Sequence, residues 1–211
     1  FLLMINQLLK LLMNFRIENK YKIDAVKLNS FYNFLKKNNA KIMYPGREIN
    51  SIYFENNNFN SYHDSLEGNL PRKKIRLRFY PNNNKNAKKN LNFEIKINSV
   101  EGKIKISKKI LDYEKLLKLG YYDFQYGQCY PIVETNYFRE YYNLFNIRLT
   151  LDKNIKYSYF KKKNRVGYKN ESIIEIKSNN TKVSDYIDRN FHFEKIRFSK
   201  YCNAIEDIFF S

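Results

Sequence analysis

Lys74-Ile75-Arg76-Leu77-Arg78-Phe79-Tyr80, KIRLRFY, is the stretch on which the reading of this chain turns. Side chains of a strand alternate between the two faces of a sheet, so Lys74, Arg76 and Arg78 share one face while Ile75, Leu77 and Phe79 take the other. The same division recurs in both directions. Arg16, Glu18 and Lys20 oppose Phe15, Ile17 and Tyr21; Glu94 and Lys96 oppose Phe93 and Ile95; Lys103 and Lys105 oppose Ile104 and Ile106. Further on, Arg148 and Thr150 alternate with Leu149 and Leu151, and Glu175 and Lys177 with Ile174 and Ile176. For any one strand the ordinary explanation is the solvated face of an antiparallel sheet. Six strands together, rich in Arg and Lys, with a Glu two places from a Lys in three of them, favour a face built for anions.

The composition points the same way. Among 211 residues, Lys+Arg number 39 and Asp+Glu 21, a formal charge of +18. Such an excess concentrates phosphate compounds, nucleic acid or anionic membrane surfaces without discriminating among them, and an AT-rich coding sequence is the bland alternative. A hydrophobic content of 43% excludes a wholly disordered chain, and the length suits one domain. Cys129 and Cys202 are far apart and lack a nearby His partner, so a disulfide framework and a thiolate metal site are both unsupported. A reducing, cytoplasmic compartment fits best. The opening FLLMINQLLKLL is interrupted by Asn6, Gln7 and Lys10, well short of the roughly 20 apolar residues of a spanning helix. Residues 1–12 read as an extension ahead of Met13, a more natural start.

Alternation continues along the chain. Strands are expected at 15–21, 51–55, 74–80, 91–97, 102–107, 131–141, 147–151, 155–160 and 172–177. Asp24 is placed to cap a helix whose apolar positions are Ala25, Leu28, Phe31, Tyr32 and Leu35. Two further helices are expected near 113–119 and 199–210, a turn at Pro45-Gly46, and a flexible hairpin loop over the Asn/Lys stretch 82–90. Many short strands with few helices indicate an α+β fold around an antiparallel sheet or barrel. Closed with its charged face inward, such a sheet makes a polar tunnel whose apolar outer face needs helices as cover. An enclosed row of cations repels itself until a polyanion enters, when Arg grips phosphate oxygens in pairs and Lys acts as a point charge. Phosphate and Glu oxygens together suit Mg²⁺ or Mn²⁺.

These residues resemble a known family, the VTC (vacuolar transporter chaperone) polyphosphate polymerase domain of the CYTH or triphosphate tunnel metalloenzyme superfamily. The matching segments run from Phe15 to about Ile205: FRIENKY, SIYFEN, SYHDSLEG, KIRLRFY, FEIK, PIVETNYFREYY, IRLTLD, IIEIK and RFSKYCNAI. The resemblance implies a VTC-like domain over 13–211 with a tunnel of eight antiparallel strands flanked by helices. It implies that Arg76 and Arg78 grip phosphate, that Lys200 lies near the transferred phosphate, and that Glu175 binds the metal. Lys20, Lys96, Arg139, Arg148 and Lys177 match other tunnel-lining cations, and strand parity adds Lys74 and favours Lys103 or Lys105 over Lys108. Glu18 and Glu94 are the other candidate metal carboxylates. Glu18 stands in an Arg-x-Glu-x-Lys pattern instead of the Glu-x-Glu-x-Lys of hydrolytic members, which favours the polymerase branch.

The implied activity is metal-dependent transfer of the ATP γ-phosphoryl group to a growing polyphosphate chain. Hydrolysis of a triphosphate in the same tunnel, and a non-catalytic basic domain, are the rivals. ATP and polyphosphate are the expected partners in place of nucleic acid, and family analogy adds a membrane-channel partner. Other signals carry less. No Gly-x-x-x-x-Gly-Lys loop exists, His63 and His192 lack paired metal spacing, and Tyr53, Tyr62 and Tyr137 read as packing residues. Asp152 reads as a turn cap, with orientation of Arg148 as the alternative.

Overall fold

The computed structural model describes residues 17–81, 91–162, 165–167, 171–178, 181–190 and 193–211. Residues 1–12, Met13, Phe15, Arg16, the 82–90 stretch and His192 lie outside them. Among the described residues the chain forms β1 (Ile17–Ile23), α1 (Ala25–Lys37), β2 (Lys41–Glu55), α2 (Asn60–Glu67), β3 (Arg72–Phe79), β4 (Asn92–Ser99) and β5 (Gly102–Lys109). Then follow α3 (Tyr113–Leu119), β6 (Tyr121–Asp123), β7 (Gly127–Leu144), β8 (Ile147–Tyr159), β9 (Arg165–Gly167) and β10 (Ser172–Ser178). The last elements are α4 (Thr181–Asn190), β11 (Glu194–Lys195) and α5 (Lys200–Ile205), which continues into a π-helical turn, Glu206–Phe210.

The strands make one 11-stranded sheet in the order β11-β1-β10-β8-β7-β2-β3-β4-β5, with β6 on β7 and β9 on β8. This is an α+β fold on antiparallel strands, as expected. The strand count is higher than eight because β6, β9 and β11 have only three, three and two residues, too few to show alternation. Hydrogen bonding leaves the sheet open where a closed barrel was expected. Two local readings also change. Pro45 and Gly46 lie inside β2 instead of forming a turn, in its largely exposed first half, where a strand tolerates a residue without an N–H. The runs 147–151 and 155–160 fuse into the single strand β8, which passes through Asn154 at a left-handed φ of 54°. Asn accepts that conformation more readily than most residues.

The chain divides into two compact units. One comprises the segments ending at Gly46, Arg139–Lys153 and Asn170–Arg197; the other comprises Arg47–Phe138, Asn154–Lys169 and Phe198–Ser211. In the first, the apolar face of β1, β10 and β8 presents Tyr21, Ile23, Ile174, Ile176, Leu149 and Leu151, covered by Phe31 and Leu35 of α1 and Ile187 of α4. Asp24 caps α1 as its sequence position suggested, its side chain accepting from Lys27 N at 2.8 Å. Ala25, read as a core position, is exposed in the first turn, whereas Leu28 and Tyr32 pack against the core. In the second unit Ile52, Phe54, Ile75, Leu77, Phe93 and Ile95 form the core, with Tyr113, Leu116 and Leu117 of α3 packed on it. Each unit thus has helices on its apolar face.

Candidate phosphate-binding site

Strand register collects the polar residues of the second unit on one face. Ser51 and Tyr53 of β2 lie opposite Arg78 and Arg76 of β3, and Arg76 lies opposite Glu94 of β4. Lys74, Lys96 and Lys105 follow one another across β3, β4 and β5. Three like charges in directly opposed positions repel, a repulsion that Glu94 relieves at Lys105. Arg76 and Arg78 are only 5% and 9% exposed, although Ile75 and Leu77 on the other face are also buried. A solvated outer face does not bury its arginines.

Both guanidinium groups are held by side chains. Arg76 donates through Nε and Nη2 to Glu94 Oε2 at 2.7 and 2.5 Å, and through Nη1 to the Tyr53 hydroxyl at 3.3 Å. Arg78 donates through Nε to Ser51 Oγ and through Nη2 to the Tyr137 hydroxyl, both at 3.1 Å, and its Nη1 lies 4.0 Å from Glu94. Lys105 pairs with the other Glu94 oxygen. Lys74 Nζ donates to Ser199 Oγ at 2.9 Å, and Lys200 Nζ lies 4.4 Å from the centroid of the Tyr137 ring. Lys96 and Lys103 are exposed on the outer strands of the same unit.

Electrostatics follow from this crowding. Burial alone would raise the Glu94 carboxyl, but Arg76, Arg78 and Lys105 overcome it and hold the group at about 2. Burial likewise raises the Tyr53 phenol, and Arg76 and Arg78 again prevail, leaving it below its usual value. For Arg76, burial works against the charge, while Tyr53 and Glu94 sustain it and raise its affinity for the proton. Glu94 was expected to help hold a metal. Arg76 engages its Oε2 and Lys105 its Oε1, so Glu94 fixes Arg76. Its depressed value has a sign: the folded state binds fewer protons than the unfolded state between the usual 4.5 and about 2, so this contribution to stability is complete above that interval and is lost on acidification through it. Glu94→Gln is therefore expected to lower the urea midpoint at neutral pH and to flatten its fall across that interval.

The first unit carries a second charged face. Register aligns Glu18 with Lys177 and Arg148, and Lys20 with Glu175 and Thr150, across β1, β10 and β8. Lys177 Nζ lies 2.6 Å from Glu175 Oε1 and 3.9 Å from Glu18, and Lys20 lies 3.3 Å from Glu18. Burial opposes ionisation of Glu175, yet Arg139, Lys177 and Lys20 hold it well below the usual carboxylate range. Arg139 is nine-tenths buried and forks onto Asp152 at 2.5 and 2.7 Å. Asp152 is thus neither a turn cap nor the partner of Arg148: it lies inside β8, fully buried, and orients Arg139. Arg148 sits over the Tyr141 ring at 5.5 Å. Its Nε and the Thr150 hydroxyl are buried without a hydrogen-bond partner among the described residues. Orphaned donors of this kind suit a ligand rich in acceptor oxygens.

No group of three or more His, Cys, Asp or Glu side chains placed to hold a metal occurs among the described residues. Mg²⁺ bound with phosphate commonly takes only one or two protein carboxylates, and the first unit places Glu18 and Glu175 on adjacent strands around Lys177. His63 is exposed beside Tyr62, and Tyr62 packs on Phe210 as expected. Tyr53 and Tyr137, by contrast, are more than packing residues, because their hydroxyls fix the two arginines. Parity could have flagged Tyr53, which shares a β2 face with Ser51, but only register shows what it faces.

A family model described as the VTC domain matches residues 15–209. No curated protein matches. Among solved structures, a putative adenylate cyclase from Vibrio parahaemolyticus is similar at 13% identity and a TM-score of 0.53, covering 91% of this chain and 98% of that one. A putative adenylyl cyclase from Hippeastrum, described as having a dominant triphosphatase activity, gives 11% identity and 0.55, covering 90% and 96%. A chain of the Schizosaccharomyces pombe Mediator head module gives 7% and 0.53, covering 85% and 96%. At such identities the likeness establishes the fold and leaves the activity to be argued from the site. With the family model spanning nearly all of the described chain, the protein belongs to the VTC domain family.

Proposed function

We propose that this chain is a metal-dependent phosphotransferase that moves the γ-phosphoryl group of ATP onto the end of a polyphosphate chain. The observation that carries the reading is the pair Arg76 and Arg78: two arginines nearly buried side by side, with Glu94 as the carboxylate beside them and Lys105 adding further positive charge. A buried excess of cations is costly unless an anion completes it. Their guanidinium groups are oriented in advance by Glu94, Tyr53, Ser51 and Tyr137, which suits them to charge that develops on phosphate oxygens. Phosphoryl transfer asks the protein mainly for position and charge neutralisation, and the acceptor phosphate is itself the nucleophile.

In this reading Arg76, Arg78 and Lys200 contact the transferred phosphate. Lys74, Lys96, Lys103 and Lys105 attract polyanion in the second unit, and Lys20, Arg139, Arg148 and Lys177 do so in the first. Glu175, with Glu18, would hold Mg²⁺ or Mn²⁺, which when bound neutralises phosphate oxygens. Among the described residues no helix is long and apolar enough to cross a membrane. Hydrolysis is the second reading, favoured by the triphosphatase activity described for the Hippeastrum neighbour. Incubation with ATP and Mn²⁺, with chain growth and released phosphate measured separately, decides between them. Chain growth is the expected result. Release alone makes the protein a hydrolase, and neither product would make it a binding domain.

A further inference from the structure

Lys200 sits on α5, a helix of only six residues. So short a helix cannot hold its own place, because the cost of nucleating it exceeds what its few internal bonds return. Its position must come from tertiary anchors. Ser199 supplies one: its hydroxyl accepts from Cys202 N at 3.3 Å and from Lys74 at 2.9 Å. Tyr201 supplies another, beside the buried Ala204 and Ile205. Its ring lies 5.2 Å from that of Tyr53, whose hydroxyl receives Arg76, and its own hydroxyl donates to Glu55.

Glu55 is the more unusual member. It ends β2, shares the face of Ser51 and Tyr53 by parity, and is 2% exposed. Its carboxylate accepts the backbone N–H of Asn56 at 3.0 Å, of Ser61 at 3.3 Å and of Tyr62 at 3.1 Å, the last two in the first turn of α2. Burial, reinforced by Asp64, pushes the carboxyl up to about 7 against those three donors. A carboxylate so placed is costly to keep, and the phosphate-binding residues do not include it.

We infer that Glu55 and Tyr201 are positioning residues: the Tyr201–Glu55 hydrogen bond fastens α5 to the end of β2 and sets Lys200 against the arginine face. The inference rests on the assignment of Lys200 to the transferred phosphate. Tyr201→Phe removes the hydroxyl and leaves the ring on Tyr53, so it frees the helix from Glu55 without opening the core. The expected loss in kcat for ATP-dependent turnover is about tenfold with little change in KM, since a displacement near 1 Å is enough to cost that much. In a Lys200→Ala background the same substitution should cost nothing further. A merely structural role would instead lower both backgrounds alike.

Amide exchange gives a readout independent of turnover. In Tyr201→Phe the amides of residues 200–205 should exchange about tenfold faster while those of β3 are unchanged, reflecting local opening of α5 alone. Unchanged exchange, unchanged kcat beside a crippled Lys200→Ala, or an equal loss in both backgrounds would each overturn the latch. If Lys200→Ala itself leaves turnover intact, the assignment of Lys200 falls and the latch with it.

Discussion

Arg76→Ala is expected to lower ATP-dependent chain extension about a hundredfold or more, by analogy with the loss of one preorganised donor at roughly 2.7–4 kcal/mol. Lys118→Ala removes the same charge from the exposed last turn of α3 and should leave the rate within about twofold, since surface charges act only through a field screened within about 8 Å. The contrast follows from environment. Arg76 is 5% exposed and bonded through three nitrogens, so its charge is fixed where solvent is scarce. Arg76→Ala also leaves Glu94 with Lys105 and the more distant Arg78, and breaking a buried pair can cost about 3–5 kcal/mol of stability. Rates therefore belong with circular dichroism at the assay temperature. Arg76→Lys keeps the charge but loses the fork, and a loss of at least about tenfold is expected there too. Should the alanine variants at 76 and 118 lose activity equally, with added salt mimicking the loss, the protein would be acting as a diffuse basic surface.

Glu175→Gln should abolish turnover while tripolyphosphate binding, measured by calorimetry, survives in part. The carboxylate is buried and kept ionised by Arg139, Lys177 and Lys20, so the amide removes a negative charge that three cations now share. Those cations remain and still attract phosphate. What is lost is a hard anionic oxygen, which an amide replaces poorly in a Mg²⁺ or Mn²⁺ shell. Unchanged turnover at saturating Mn²⁺ would remove Glu175 from the metal site. A complete loss of tripolyphosphate binding would make Glu175 an organiser of Lys177 and Lys20 instead.

Much of this protein can be read before folding it. Alternation alone put Lys74, Arg76 and Arg78 on one face and Ile75 and Leu77 on the other, because the period of a strand is a property of the backbone. Asp24 announced α1, and the apolar positions Phe31 and Leu35 found the core of the first unit, because caps and helical faces are local. The ordered fragments from FRIENKY to RFSKY carried the family likeness. Partnership was not legible. That Glu94 holds Arg76, that Asp152 orients Arg139, and that Tyr53 and Tyr137 hold the arginines all depend on which strand lies beside which. Register between β2 and β3 joins residues 21 to 29 positions apart, and the Glu55–Tyr201 bond spans 146. Parity names the face of a side chain, but only pairing and burial decide what it meets there.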